Sequence, residues 1–174
     1  MRIGCFADRK WAYEIFERIS SDERFEIVFH GDGPQLNEYK AFCEQNGFNN
    51  AVFTGSYNNA DKAKLLCEAG ILNNCYGYLG SDSNKVQYAV SNRFYDGMIF
   101  RIPQVVEPEG YKTGWAREAG VGVSFLPDAD FADKLYDYYT SLDADKFNAA
   151  CAAAMQTVIR EDDEYIAKID SFIT

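Results

Sequence analysis

The sequence is poor in the residues from which most catalytic and metal-binding sites are built. His30 is the one histidine in 174 residues, so a Ser-His-Asp or Cys-His catalytic set would have to form around that single imidazole. Five cysteines are present, but no two form a C-x-x-C pair, and the chain has no zinc-ligand spacing. We therefore expect reduced cysteines, buried for the most part, as in a cytosolic protein.

The chain also has little positive charge and no long apolar run. It carries 17 Lys and Arg against 27 Asp and Glu, a formal net charge of -10. A broad nucleic-acid surface needs a basic face, so no nucleic-acid partner is expected. A small anionic ligand is compatible with the charge, because a few cations and helix N-termini can bind it. Nothing approaches the ~18 apolar residues of a membrane span, and the start has no signal-length apolar run.

What the sequence does contain is material for a core. Apolar residues make up 47% of the chain and aromatic residues 16%, which excludes a disordered protein. The length suits one domain, which we place at 1–174. Short apolar runs alternate with segments of helical spacing. Strands are predicted at 2–6, 25–30, 51–55, 71–76, 102–107 and 121–126, and helices at 10–20, 34–46, 60–69, 85–101, 114–120, 128–142 and 143–173.

The alternation of strands and helices predicts the fold class. Six alternations with short connections are typical of a parallel sheet of about six strands with helices on both faces. Right-handed crossovers then give a Rossmann-like, doubly wound α/β domain. Local signals support the helix ends: Gly47 stops the second helix, the helix at 85–101 is interrupted near Ser91, and Asp128 or Asp130 is expected to cap the helix that follows.

In such a sheet, ligands bind beyond the carboxyl ends of the strands, near the point where the strand order reverses. Glycines, small polar residues, a few cations and an aromatic residue follow the predicted strands, a composition that suits a phosphorylated ligand with a ring to stack. The candidate binding residues are Arg9, Lys10, Gly31, Gly33, Ser56, Tyr57, Ser91, Asn92, Arg93 and Asp96.

Each candidate also has a purely structural interpretation. Gly31 and Gly33 can belong to a tight turn, and Tyr57 can cap the core. Arg9 and Lys10 can begin a solvated helix. The three-residue spacing of Arg93 and Asp96 suits a salt bridge along one helix face, worth only ~0.3–0.5 kcal/mol.

The order of these segments resembles the C-terminal, nucleotide-sugar-binding half of GT-B glycosyltransferases, of the group 1 type used in bacterial polysaccharide assembly. Those domains carry "G-x-G-P" after a strand and then "v-x-F-x-G", which stand here as "FEIVFHGDGP" and "NNAVFTGSY". Their segment "K-l-x-E-y-x-x-x-G-x-P-v-i" corresponds to "RFYDGMIFRIPQVV", and "e-x-g-x-G-x-x-v" to "EAGVGVSF". The resemblance covers nearly the whole chain and rests on the order of the motifs.

The resemblance implies a role for each candidate. Asp96 takes the place of the acid that accepts hydrogen bonds from the donor ribose, and a carboxylate can accept from both hydroxyls of a diol. Arg93 takes the place of the cation near the diphosphate, which a guanidinium can bind with two hydrogen bonds. The helix start at Ser91 and Asn92 would add backbone N–H groups to the phosphates.

The other candidates would frame the nucleotide. Ser56 and Tyr57 are placed to flank the base, and Arg9 and Lys10 match the cations after the first strand. Two positions depart from the family pattern. Tyr88 stands where many relatives carry a first glutamate, eight residues before Asp96, and Arg101 stands where a glycine is usual. The resemblance assigns no catalytic residue, no metal and no cofactor to this chain.

The resemblance further implies a hexosyltransferase of capsular or surface polysaccharide synthesis. It would use a nucleoside diphosphate sugar as donor and a saccharide or lipid-linked acceptor. GT-B enzymes have two Rossmann-like halves, and this length fits one, so an N-terminal acceptor domain or partner subunit is expected. One half alone is expected to be inactive. The expected location is the cytoplasm, with the full-length enzyme peripheral at the inner membrane face.

Three other functions are conceivable for a chain with this order of strands and helices. A dinucleotide-dependent oxidoreductase would need G-x-G-x-x-G after the first strand, and "GCFADRK" lacks it. A phosphorylatable receiver would need an aspartate at the end of the third strand, where Thr54 and Gly55 stand. A non-catalytic nucleotide-binding or interaction module with the same fold remains as the alternative.

Overall fold

The computed structural model describes residues 1–6, 12–33, 36–75 and 88–173. Arg9 and Lys10, and the Gly/Ser-rich segment 77–84, lie outside the described residues. The strands are β1 Arg2–Phe6, β2 Glu26–His30, β3 Ala51–Gly55, β4 Ile71–Asn73, β5 Gln104–Val105 and β6 Gly122–Val123. The helices are α1 Ala12–Ile19, α2 Leu36–Asn46, α3 Asn59–Cys67, α4 Asn92–Ile99, α5 Tyr111–Glu118, α6 Phe131–Thr140 and α7 Ala144–Ile173.

The six strands form one parallel sheet in the order β3-β2-β1-β4-β5-β6. Ile3 of β1 is in register with Ile27 on one side and Ile71 on the other. The strand order reverses between β1 and β4, which is where a doubly wound sheet opens a crevice for ligands. The predicted Rossmann-like α/β fold is confirmed.

Helices cover both faces of the sheet, which explains why its strands are apolar on both sides. Neighbouring residues of a strand point to opposite faces. Val105 accordingly packs with Phe16 and Phe131 in one core cluster, under α1, α2 and α6. Val106 packs with Phe94 in a second cluster, under α4, α5 and α7.

The later strands are shorter than predicted. β4, β5 and β6 span three, two and two residues, where the sequence predicted six each. Side chains take over the backbone hydrogen bonds at their ends: Cys75 N–H donates to Asn73 Oδ1 at 3.1 Å, and Thr113 Oγ1 donates to the Glu107 carbonyl at 2.6 Å. Apolar runs therefore continue beyond the strands without continuing the sheet.

The helix ends agree with the sequence in part. Gly47 follows α2 with φ +67°, as its stop signal predicted. α4 begins at Asn92, directly after the predicted interruption at Ser91. The capping prediction for α6 was wrong in its chemistry: Asp130 occupies the N-cap but makes no side-chain capping bond. Asp128 instead accepts from the Asp130 N–H and binds Lys134.

α7 is the longest helix, and its two halves have different surroundings. Its first half buries Phe147, Cys151 and Ala154 against α4. Every residue from 159 to 173 is exposed. Among the described helices, none combines the length and the apolarity needed to cross a membrane.

Candidate functional site

The ends of β2 and β3 are joined by backbone and side-chain hydrogen bonds. The Gly31 N–H donates to the Gly55 carbonyl at 2.9 Å, with φ +134° and +75° at the two glycines. These angles lie in the region that favours glycine. The Ser56 hydroxyl donates to Asp32 Oδ2 at 2.5 Å. Gly33 follows in the same loop, and its carbonyl accepts from the first N–H of α2.

His30 belongs to this edge as a structural residue. Its side chain is buried, and burial lowers the pKa of the imidazole, which favours the neutral form. His30 Nδ1 lies 2.9 Å from Thr54 Oγ1, whose hydroxyl donates to the Phe29 carbonyl. Nδ1 is therefore assigned as the protonated nitrogen. The Tyr57 ring packs edge-on against the imidazole, with 6.4 Å between the two ring centroids.

The N-terminus of α4 points toward the carboxyl edge of the sheet. Ser91 is the N-cap residue, yet its hydroxyl makes no capping bond. Its Oγ is buried and has no hydrogen-bond partner among the described residues. Asn92, the first helical residue, is exposed. The Phe94 N–H already donates to the Ser91 carbonyl at 2.9 Å, so what this terminus has for an anion is the Ser91 hydroxyl and the positive end of the helix dipole.

Arg93 and Asp96 share a face of α4 but do not pair with each other. Asp96 Oδ2 lies 2.5 Å from Lys62 Nζ on α3, with the two side chains 15% and 30% exposed. Arg93 Nη1 instead donates to the Asn73 carbonyl at the end of β4, at 3.3 Å. The interpretation of this spacing as an intrahelical salt bridge was therefore wrong.

Buried amides fix α4 against the sheet. Asn74 Nδ2 donates to the Arg93 carbonyl at 3.3 Å and to Gln104 Oε1. Gln104 Nε2 donates to the Phe94 carbonyl at 3.1 Å. Because the Asn74 and Gln104 side chains are buried, the network holds the backbone that carries Arg93 in one position.

A buried ion pair lies beside this network. Lys112 Nζ is 3.0 Å from Glu107 Oε2, and it donates to the Asn74 carbonyl at 2.5 Å. Desolvation lowers the pKa of Lys112 to about 8, although the charge of Glu107 acts in the opposite direction. Lys112 and Arg93 thus both bind carbonyl groups at the end of β4.

The structure brings the described candidates into two groups. The loops after β2 and β3 hold Gly31, Gly33, Ser56 and Tyr57, while the start of α4 holds the other four. The Lys62–Asp96 pair ties α3, which follows Tyr57, to α4. The roles of these residues in binding stay predictions, as do those of Arg9 and Lys10.

Sequence reasoning missed several residues of this edge. Lys62, Asn74 and Gln104 were not singled out, and Glu107 and Lys112 were not among the candidate binding residues, although both come at the end of the predicted fifth strand. A lysine five residues after a glutamate, at the end of a predicted strand, was the signal available for the buried pair.

The structure describes both residues that depart from the family pattern. Tyr88 is exposed, and Arg101 adopts φ +57°, the left-handed conformation that glycine adopts most easily.

Comparison with known proteins identifies the fold class. HepE from Anabaena, solved with UDP-glucose, aligns with a TM-score of 0.72 and 16% identity, over 96% of this chain and 48% of its own. A glycosyltransferase from Rickettsia africae gives 0.66 and 17%, over 92% and 43%. WaaG, a glycosyltransferase involved in lipopolysaccharide biosynthesis, gives 0.62 and 14%, over 88% and 41%. No protein-family model and no curated protein matches the chain.

The chain therefore spans about half the length of the structures it resembles. Its sheet and helices are those of one half of a GT-B glycosyltransferase, as the sequence resemblance implied. At this level of identity, the likeness concerns the fold.

Proposed function

We propose that this chain is the donor-binding half of a glycosyltransferase. It would bind a nucleoside diphosphate sugar and present a hexose-like sugar to a saccharide or lipid-linked acceptor, in capsular or surface polysaccharide synthesis. The observation that carries the proposal is the start of α4 at the carboxyl edge of the sheet, where a cation and a carboxylate share one helix face but have separate partners.

Arg93 and the start of α4 suit the diphosphate. The guanidinium lies at the end of β4, where it donates to the Asn73 carbonyl, and its planar fork suits phosphate oxygens. The Ser91 hydroxyl, which has no hydrogen-bond partner among the described residues, and the positive end of the α4 dipole would add to the attraction for an anion. Together these groups can stabilise the negative charge that develops on a departing diphosphate.

Asp96 suits the ribose. Lys62 Nζ lies 2.5 Å from its Oδ2, which orients the carboxylate. A charged carboxylate is acceptor-only and suits two adjacent hydroxyls. Ser56 and Tyr57 would then lie against the base, on loops held by the Gly31–Gly55 and Ser56–Asp32 hydrogen bonds.

The acceptor site and the catalytic base would belong to a second half. That half would be an N-terminal domain or a partner subunit, as the coverage of about half of each similar structure suggests. We assign no catalytic residue in this chain. Its share of catalysis would be to bind the donor and stabilise the leaving group, without a cofactor.

Calorimetric titration with UDP, GDP, CDP and NAD tests the proposal. We expect one nucleoside diphosphate to bind, and Arg93→Ala and Asp96→Ala each to weaken it about ten- to a hundredfold, since each removes hydrogen bonds to a charged group. Arg117→Ala, on an exposed residue in the last turn of α5, is the matched control and should bind as the wild type does. Binding that survives both site substitutions would contradict the proposed site.

The alternative is a non-catalytic nucleotide-binding or interaction module. It shares the fold, and therefore the binding experiment alone does not separate the two functions. Hydrolysis or transfer of the sugar separates them when the second half is supplied. Preferential binding of NAD would instead support a dinucleotide-dependent enzyme.

A further inference from the structure

Asn74, directly after β4, is held by hydrogen bonds from three different elements. Its N–H donates to the Val105 carbonyl at 2.8 Å, and its own carbonyl accepts from Lys112 Nζ at 2.5 Å. Its side-chain Nδ2 donates to the Arg93 carbonyl at 3.3 Å and to Gln104 Oε1. Asn74 thereby joins β5, α5 and α4 at the carboxyl edge of the sheet.

Lys112 brings a charge into this arrangement. Its side chain has no exposed surface, and the carboxylate of Glu107 lies 3.0 Å from its ammonium group. A buried ion pair of this kind contributes little net stability compared with apolar residues of similar volume, because both charges lose their hydration. Stability alone therefore does not explain why a charged side chain stands at this place.

The contacts of Asn74 lead directly to Arg93. Arg93 is held at its backbone and at its side chain: its carbonyl accepts from Asn74 Nδ2, and its guanidinium donates to the Asn73 carbonyl at 3.3 Å. A shift of the backbone at 73–74 would therefore displace the guanidinium and the start of α4 together. The carbonyl that Lys112 binds belongs to this same stretch of backbone.

We propose that Lys112 is a positioning residue for the diphosphate, an assignment that rests on the proposed function. Its ammonium group fixes the Asn74 carbonyl, and the backbone at 73–74 in turn fixes Arg93. Because Lys112 has no exposed surface, it acts through these groups and does not touch the ligand. The planar fork of a guanidinium binds two phosphate oxygens only in the right orientation, so a small displacement of Arg93 weakens binding.

The charges of this arrangement also favour an anion. Burial is the main cause that lowers the pKa of Lys112, and the positive charge of Arg93 lowers it as well, so the two cations are close enough to interact. The two contribute two positive charges to this part of the edge, against one negative charge from Glu107. Removing Lys112 alone would leave one charge of each sign, and with it a weaker attraction for an anion.

A variant that removes both charges, Lys112→Met with Glu107→Gln, tests positioning apart from charge. It leaves no unpaired buried charge, and we therefore expect it to fold, which circular dichroism checks. In calorimetric titration with UDP, GDP and CDP, it should bind the nucleotide that the wild type binds about three- to thirtyfold more weakly, as for partners in one hydrogen-bond network. Lys146→Met with Asp143→Asn, which removes an exposed pair at the start of α7, is the matched control and should bind as the wild type does.

The same substitutions in an Arg93→Ala background separate positioning from a loss of structure. If Lys112 acts through Arg93, removing the pair should weaken binding no further once residue 93 is alanine. Equal losses in both backgrounds, or full affinity in the variant that lacks the pair, would each overturn the inference.

The titrations also distinguish failure of this inference from failure of the proposed function. Binding that depends on Arg93 but is indifferent to Lys112 defeats the inference alone. If none of the three nucleotides binds the wild-type chain, the donor site and the positioning role fall together.

Discussion

Lys112 Nζ lies 3.0 Å from Glu107 Oε2, and both side chains are withdrawn from solvent, with 0% and 1% of their surface exposed. The same ammonium group donates to the Asn74 carbonyl. This pair therefore joins α5 and the segment after β5 to the end of β4. It lies beside the backbone that positions Arg93.

The first prediction concerns the removal of one charge from this pair. Lys112→Met should lower the free energy of unfolding by about 3–5 kcal/mol, because it takes a counter-charge from a buried carboxylate. Urea unfolding measures the change. Lys134→Met is the control, since its pair with Asp128 is 40% and 43% exposed and should contribute less than about 1 kcal/mol.

A double variant completes this experiment. Lys112→Met combined with Glu107→Gln leaves no charge at the pair and should recover part of the lost stability. A double variant that is as unstable as the sum of two large single losses would show that packing, and not charge, is responsible.

The second prediction concerns pH. The pKa of Lys112 is lowered to about 8 in the folded chain, against about 10.4 when unfolded. Between these values the unfolded state holds more protons, so this lysine makes the free energy of unfolding rise with pH. The rise should reach on the order of 1 kcal/mol per pH unit.

Other groups act against this trend at higher pH. Burial raises the pKa of Cys5 to about 11 and that of Tyr138 to about 12. Their stabilisation is therefore lost as pH rises toward those values. We therefore compare the free energy of unfolding of the wild type with that of Lys112→Met, measured by urea unfolding from about pH 7 to 9. The difference between the two should increase with pH. A difference that stays constant across this range would contradict the lowered pKa.

The third prediction concerns the pair that holds Asp96. Lys62→Met should weaken nucleotide binding less than Asp96→Ala does, because it loosens the carboxylate without removing it. A double-mutant cycle should show a coupling of about 0.5–3 kcal/mol between the two positions. Calorimetry measures the affinities, and Lys64→Met, an exposed lysine on the same helix, serves as the control. Additive effects of Lys62→Met and Asp96→Ala would mean that Lys62 does not act through Asp96.

The fourth prediction concerns the contact between α4 and β5. A β-carbon at Gly97 would overlap the side-chain amide of Gln104, which is buried and hydrogen-bonded. Gly97→Ala should therefore destabilise the protein by about 1–3 kcal/mol. Thermal unfolding measures this loss.

Gly114→Ala, in α5, is the matched control for Gly97→Ala, because both replace a helical glycine with alanine. No atom lies within 4 Å of a β-carbon built there, so Gly114→Ala should stabilise the protein by about 0.5–1 kcal/mol through helix propensity alone. Equal effects at the two glycines would show that Gln104 moves aside without loss.

The amino-acid sequence was sufficient to predict the fold class and the ends of several elements. The spacing of apolar residues distinguishes strands from helices, because side chains return to the same face every two residues in a strand and every 3.6 residues in a helix. It also placed Arg93 and Asp96 on one face of a helix, since three-residue spacing fixes that geometry locally. Gly47 marked the end of α2 because its φ of +67° is a conformation that glycine adopts without strain.

The partners of these side chains, in contrast, depend on three-dimensional packing. Asp96 pairs with Lys62, on another helix, and Lys112 binds the carbonyl of Asn74 across the sheet edge. Such contacts join residues more than thirty positions apart, and they depend on how helices pack across the strands, which no local spacing encodes. The same holds for the short strands: whether an apolar run continues the sheet depends on the side chains that reach its last backbone groups.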